Sequence, residues 1–226
     1  MLLLTSFLAG CTTSGNSVAR LADLPSPRVF GTTSSLGIDY DTSVGCFTLA
    51  PEVTATIDGH PVAISGGGST ETNAFNGKDC IGIGGTFTNL FDTNESVTSI
   101  VLADGQSTWN LDVQGLAPGS WSIHTPATVT EGSDVTVGFE PALAGVGVEM
   151  IDISPDSDIP FSHAATGNTT HIAAGYWSAE QPGSQLQGAI DVELGPLPVQ
   201  CSGPQSCSFT TLTPNPANRT TISIPN

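Results

Sequence analysis

Ser99-Ile100-Val101-Leu102-Ala103-Asp104-Gly105-Gln106-Ser107-Thr108-Trp109-Asn110-Leu111-Asp112-Val113 is the stretch that decides the fold class. Ile100 and Leu102 run into Asp104-Gly105, and Trp109, Leu111 and Val113 run out of it. Every second residue is apolar on each side, the period of a strand with one face buried. Asp-Gly between two such runs is the turn chemistry of a β-hairpin. The same grammar occurs earlier. Val53, Ala55 and Ile57 alternate up to Asp58-Gly59-His60-Pro61, and Val62 and Ile64 alternate after it.

Outward from these hairpins the chain keeps reading as short strands. Gly66-Gly67-Gly68 opens a loop that runs to Asp79, strand resumes over Cys80–Ile83, and Gly84-Gly85 marks a bulge or bend. Leu116-Ala117-Pro118-Gly119-Ser120 reads as a connector, because Pro and Gly break strand pairing. Beyond it come Trp121 to Ile123, a turn at Glu131 to Asp134, and Val135, Val137 and Phe139 in alternation. Val148 and Met150 shift register to Ile151 and Ile153, as a bulge would require. His171 to Trp177, Ile190 to Leu194, Val199 to Cys201, Cys207 to Thr211 and Thr220 to Ile224 supply further strands. With 26 Gly and 16 Pro in 226 residues and no long helical period, the expected class is all-β. The stretch with Pro126, Thr128-Val129-Thr130-Glu131-Gly132 and Val135, Val137, Phe139 resembles the opening strands of bacterial immunoglobulin-like modules. That resemblance implies sandwiches. The expected organisation is two tandem immunoglobulin-like antiparallel β-sandwiches, at 28–115 and 121–226, joined by the 116–120 connector. A flexible tether at 12–27 precedes them.

The front of the chain sets the expected location. Met1-Leu2-Leu3-Leu4-Thr5-Ser6-Phe7 is a short apolar run ending in Leu8-Ala9-Gly10-Cys11. This resembles the lipobox of bacterial lipoproteins. It implies that residues 1–11 are signal and lipobox, with cleavage before Cys11 and a diacylglycerol on its thiol. Thr12 follows, not an Asp, so the family's sorting rule implies the outer membrane of the cell envelope. No later apolar run approaches the ~18 residues of a spanning helix, so the expected membrane contact is the lipid anchor.

Charge narrows the partners. Four Lys and Arg stand against 21 Asp and Glu, a net charge of −17. Such a surface repels nucleic-acid phosphates and anionic lipid. The expected partners are an envelope protein or a polysaccharide, held by end loops such as 66–79 and 154–170. Setting Cys11 aside leaves four cysteines, an even number that reads as disulfides in an exported chain. Cys201 and Cys207 flank a short loop and should pair as a bridged hairpin, which leaves Cys46 with Cys80, one bridge per half. A four-cysteine zinc site is the alternative, but no C-x-x-C spacing supports it.

Three constellations are candidates for chemistry. Asp152, Asp156 and Asp158 place three carboxylates within seven residues, oxygen donors suited to Ca²⁺; the competing reading is a solvated turn. Asp39-Tyr40-Asp41 is a smaller instance. His163 and His171 flank a turn and would face each other in a hairpin; the competing reading is strand-end histidines. Trp177, beside Tyr176, is a candidate sugar-stacking ring, whereas Trp109 and Trp121 sit in alternating runs and read as core. No G-x-S-x-G or phosphate-loop pattern is present. The expected role is therefore structural, adhesive or binding, without catalysis. A carbohydrate-binding or carbohydrate-active lipoprotein and a calcium-dependent surface adhesin are the alternatives.

Overall fold

The computed structural model describes residues 17–67, 70–73, 77–80, 82–88, 96–117, 119–155, 161–164, 167–172 and 181–226. Nearly all regular structure is strand. In chain order these are β1 (Ser17–Ala19), β2 (Arg28–Gly31), β3 (Ser35–Asp39), β4 (Phe47–Leu49), β5 (Thr54–Ile57), β6 (His60–Val62), β7 (Thr70–Asn73) and β8 (Gly77–Cys80). Then follow β9 (Ile83–Thr86), β10 (Val97–Ala103), β11 (Thr108–Gln114), β12 (Ser122–His124), β13 (Thr128–Thr130), β14 (Asp134–Thr136) and β15 (Gly138–Glu140). The chain ends with β16 (Gly147–Pro155), β17 (Phe161–Ala164), β18 (Thr169–His171), β19 (Gln185–Gly195), β20 (Val199–Ser202), β21 (Ser206–Phe209) and β22 (Thr211–Ser223).

The deciding hairpin forms as its alternation requires. Ile100 pairs with Leu111 and Leu102 with Trp109, and all four side chains are buried while their neighbours face out. The Asp58-Gly59 hairpin forms too, with positive φ at both turn residues (48° and 77°), the backbone of a primed two-residue turn. Asp58 fixes this turn to the next strand. Its N–H donates to Ser99 O at 2.8 Å, and its Oδ1 accepts from Ser99 N at 2.7 Å.

The first region holds a five-stranded sheet, β20-β11-β10-β5-β6, and a four-stranded sheet, β21-β2-β3-β9. Their buried faces, including Ile57, Ile100, Leu111 and Trp109 from one and Val29, Ile38, Ile83 and Phe209 from the other, belong to one apolar core. The second region is built on the five-stranded sheet β13-β22-β19-β16-β17, covered by the short ladders β12-β15 and β14-β18. Ile151, Ile190, Val192, Leu194 and Ile222 supply its buried face. The expected bulge is there, as a register shift between Val148 and Met150 where β16 pairs with β19. Gly84 and Gly85 differ from expectation. They lie inside regular strand, where a Cβ would stand 2.5 Å from Leu36 O and 2.2 Å from Ala63 O. Close backbone approach, not a bend, is what requires glycine at these two positions.

Three expected boundaries are corrected by the pairing. First, β20 and β21 fall in the 121–226 segment but pair with β11 and β2, so residues 199–209 complete the first region's sheets. Both disulfides therefore lie in that region. Second, Cys201 and Cys207 do pair, but β20 and β21 are not a hairpin. Each is the edge strand of a different sheet, and Ser202-Gly203-Pro204-Gln205 forms a corner between them. Gly203 adopts φ 110°, and its missing Cβ leaves room for the Trp109 indole, which a side chain would meet at 2.1 Å. A corner of this kind is how strands switch sheets in packed β architectures.

Third, residues 17–27 are not a free tether. β1 pairs in parallel with β4, and Ala19, Leu21 and Leu24 are buried. Apolar burial at ~25 cal/mol per Å² holds this strap against the core. The 116–120 connector is likewise anchored, since Leu116 and Ala117 are buried and Trp121 Nε1 donates to Gly115 O at 2.7 Å. Residues 12–16 lie outside the described residues.

Candidate functional site

Among the described residues of the first region several grooves border polar groups, and two of them decide what the region can present. The first is the end of the β10–β11 hairpin, where the strap crosses. Asp104 is 4% exposed, and its carboxylate collects three backbone donors: Ser107 N at 2.7 Å and Gln106 N at 2.9 Å on Oδ1, and Leu21 N at 3.0 Å on Oδ2. The Ser107 bond is the largest influence on its acidity. Together with the Gln106 and Leu21 bonds and nearby Arg20, it outweighs burial and holds the carboxyl below its ordinary 3.8. A groove of about 400 Å³ runs beside it, lined by Leu21, Leu24, Pro27, Ser107, Trp109 and Gly203 among others. Two of the carboxylate's bonds close its own turn and the third ties that turn to the strap. The carboxylate is a structural cap, not an acid or base presented to a ligand.

The second place is the outer face of the four-stranded sheet. Alternation turns Val29, Ile38, Ile83 and Phe209 inward and leaves Arg28, Phe30, Asp39, Ser206 and Ser208 outward. Register sets them in two cross-strand rows. One row is Ser206, Arg28 and Asp39; the other is Ser208, Phe30, Gly37 and Gly84. Phe30 is 49% exposed, and its ring lies over Gly37, where a Cβ would meet ring carbons at 2.3 to 2.9 Å. An aromatic side chain covering a cross-strand glycine is a recognised way of rescuing that glycine. The groove along this face has a volume of about 500 Å³ and is lined by Arg28, Phe30, Asp39, Gly82, Ser206 and Ser208, with Val29, Ile38 and Ile83 beneath. Arg20 is paired with Glu52 at 3.0 Å, whereas Arg28 has no carboxylate within ion-pair distance among the described residues.

The sequence-based candidates distribute as follows. Cys46 and Cys80 are bonded, with Cα atoms 5.4 Å apart, as are Cys201 and Cys207, with Cα atoms 6.5 Å apart; with every one of these thiols in a disulfide, the zinc reading fails. Cys11 lies outside the described residues, as do Asp156, Asp158 and Trp177. Asp152 stands on β16, in register with Asp191 and Ser162. Among the described residues no cluster of three His, Cys, Asp or Glu has metal-binding geometry. Asp39 and Asp41 serve the local backbone, accepting from Tyr40 N and Ser43 N. His163 and His171 do not form a hairpin pair. β17 joins β16, while β18 joins β14, where His171 Nδ1 meets Asp134 Oδ1 at 3.2 Å. Trp109 and Trp121 are core, as their alternation implies.

Phe30 and its row were not legible as a site. Arg28 and Phe30 alternate with Val29, but only the pairing of β2 with β3 and β21 shows what surrounds the ring. Comparison with known proteins finds no matching family model, no similar curated protein and no similar solved structure.

Proposed function

We propose that this chain is an exported bacterial lipoprotein, anchored to the envelope through Cys11, that acts by presenting a β-sandwich binding surface and not by catalysis. The observation that supports export is the pair of disulfides, Cys46–Cys80 and Cys201–Cys207. Cystines of this kind persist in oxidising compartments and not in reducing cytosol. The role is structural or adhesive, as immunoglobulin-like modules commonly serve. A net charge of −17 directs it away from nucleic acid and anionic lipid.

The test is the intact mass of the mature protein from the host membrane fraction beside Cys11→Ala. The expected mass fits cleavage before Cys11 plus acyl chains and two disulfides, and the variant loses the acyl chains. An unprocessed chain with free thiols overturns the reading. The calcium-dependent alternative, through Asp152, Asp156 and Asp158, is checked by melting with millimolar Ca²⁺ or EDTA. A cation bound by the native state raises the melting temperature, and an unchanged melt removes that alternative.

A further inference from the structure

We propose that the outer face of the β21-β2-β3-β9 sheet is a saccharide-binding platform for a neutral hexopyranose chain, with Phe30 as its stacking ring. The inference concerns a surface separate from the anchor and does not depend on Cys11. Phe30 is a half-exposed aromatic ring on an acidic protein. Here the ring lies down on Gly37, with Gly84 next in the row, so on the β3–β9 side no side chain of that row walls it off. One face of the ring is spent on the glycine. The other is open to an apolar, C–H-bearing face of a sugar ring.

The polar groups around the ring match that occupant. Arg28 sits two residues back on the same strand, at the next outward position, and its N–H donors have no carboxylate partner among the described residues. Asp39 lies directly across from it, with one carboxylate oxygen taken by Tyr40 N at 2.9 Å and the other without a partner among the described residues. Ser206 and Ser208 add hydroxyls in the adjacent register positions. Sugar hydroxyls donate and accept at once, so a cation and an anion set side by side suit a vicinal diol. Neither charge alone does. The choice of a neutral chain follows from electrostatics: at −17 the protein repels a polyanion, and Asp39 would oppose a uronate carboxylate placed on Arg28. The groove, about 500 Å³, is of the size of small-ligand clefts and open along the sheet.

The full chain would be run in affinity gels containing β-1,3-glucan, α-mannan or xylan as neutral probes and alginate as the anionic one. Binding to any retarding glycan would then be titrated by calorimetry. Retardation by at least one neutral glycan is expected. Phe30→Leu keeps apolar cover over Gly37 but removes the flat ring, so at least tenfold weaker binding is expected with an unchanged melt. Arg28→Met, an exposed change that spares the fold, is expected to weaken the same binding severalfold. No retardation by any neutral glycan, retention by alginate alone, or full binding by folded Phe30→Leu or Arg28→Met overturns the proposal. An overturned platform would leave the mass test of the anchor untouched.

Discussion

The two regions of this chain solve the same problem by different means. Both bury one face of short, alternating strands, yet the first is fastened and the second is laced. The first has short ladders of three to seven residues, and around them two disulfides, a packed strap and a carboxylate that caps backbone donors. The second has no cysteine. Its strands β16, β19 and β22 run nine, eleven and thirteen residues and pair along most of their length. Where the ladder is long, backbone pairing and a continuous apolar stripe are enough. Where strands are short and change sheets, covalent and capping contacts hold the edges.

The sharpest way to break this comparison is to remove the Cys46–Cys80 bridge, which spans 34 residues. Cys46→Ala with Cys80→Ala should cost about 4 kcal/mol by the chain-entropy relation. Amide exchange should show lost protection in β10 and β11 with β19 and β22 unchanged. Equal loss in both regions would mean that they unfold as one unit and that the contrast is only visual. The counterpart in the laced region is Leu194→Ala, which empties a fully buried site and should cost about 3 kcal/mol by urea unfolding. If exchange protection falls first in β10 and β11, the assignment of Leu194 to the second region's own stability is wrong.

Asp104 sharpens the comparison at smaller scale. Asp104→Ala strands two backbone donors in the β10–β11 turn and one at the strap, and should cost about 2 kcal/mol. Its pH dependence has a definite sign. The carboxyl is held below its ordinary 3.8, so the stability it supplies is complete above that value and is lost as the pH falls through the lowered value. Asp104→Asn should flatten the acid limb of a melting-temperature profile below pH 4, and an unchanged limb would remove Asp104 from it. The smallest expected effect is at the junction. Trp121→Phe removes the Nε1 bond to Gly115 O and should cost about 1 kcal/mol.

Much of the scaffold was legible because its information is local. Asp58-Gly59 and Asp104-Gly105 sit between alternating runs, and both form hairpins. Cys201 and Cys207 are too near each other to leave their pairing in doubt. What was not legible is carried by register between distant strands. The strap shows only scattered apolar residues, Val18, Ala19, Leu21, Ala22 and Leu24, and its partner carboxylate is 83 positions away. The β20–β21 corner looks like a hairpin locally, because the parallel pairing of Cys207 with Val29 leaves no local mark. The Phe30 face has the same origin, since Phe30 gains Gly37 and Ser208 as neighbours only through pairing. For the calcium and Trp177 candidates, Asp156, Asp158 and Trp177 lie outside the described residues.

The corner at 202–205 also constrains how the protein can be made. β2, β3, β10 and β11 are synthesised early, but each of the first region's two sheets lacks its final edge until residues 199–209 follow. Chains usually fold in the order in which they are delivered. Here β11 and β2 keep open edges while the whole β12–β19 stretch is made. Cutting the gene at the 116–120 connector would yield a first half that lacks both of these edge strands.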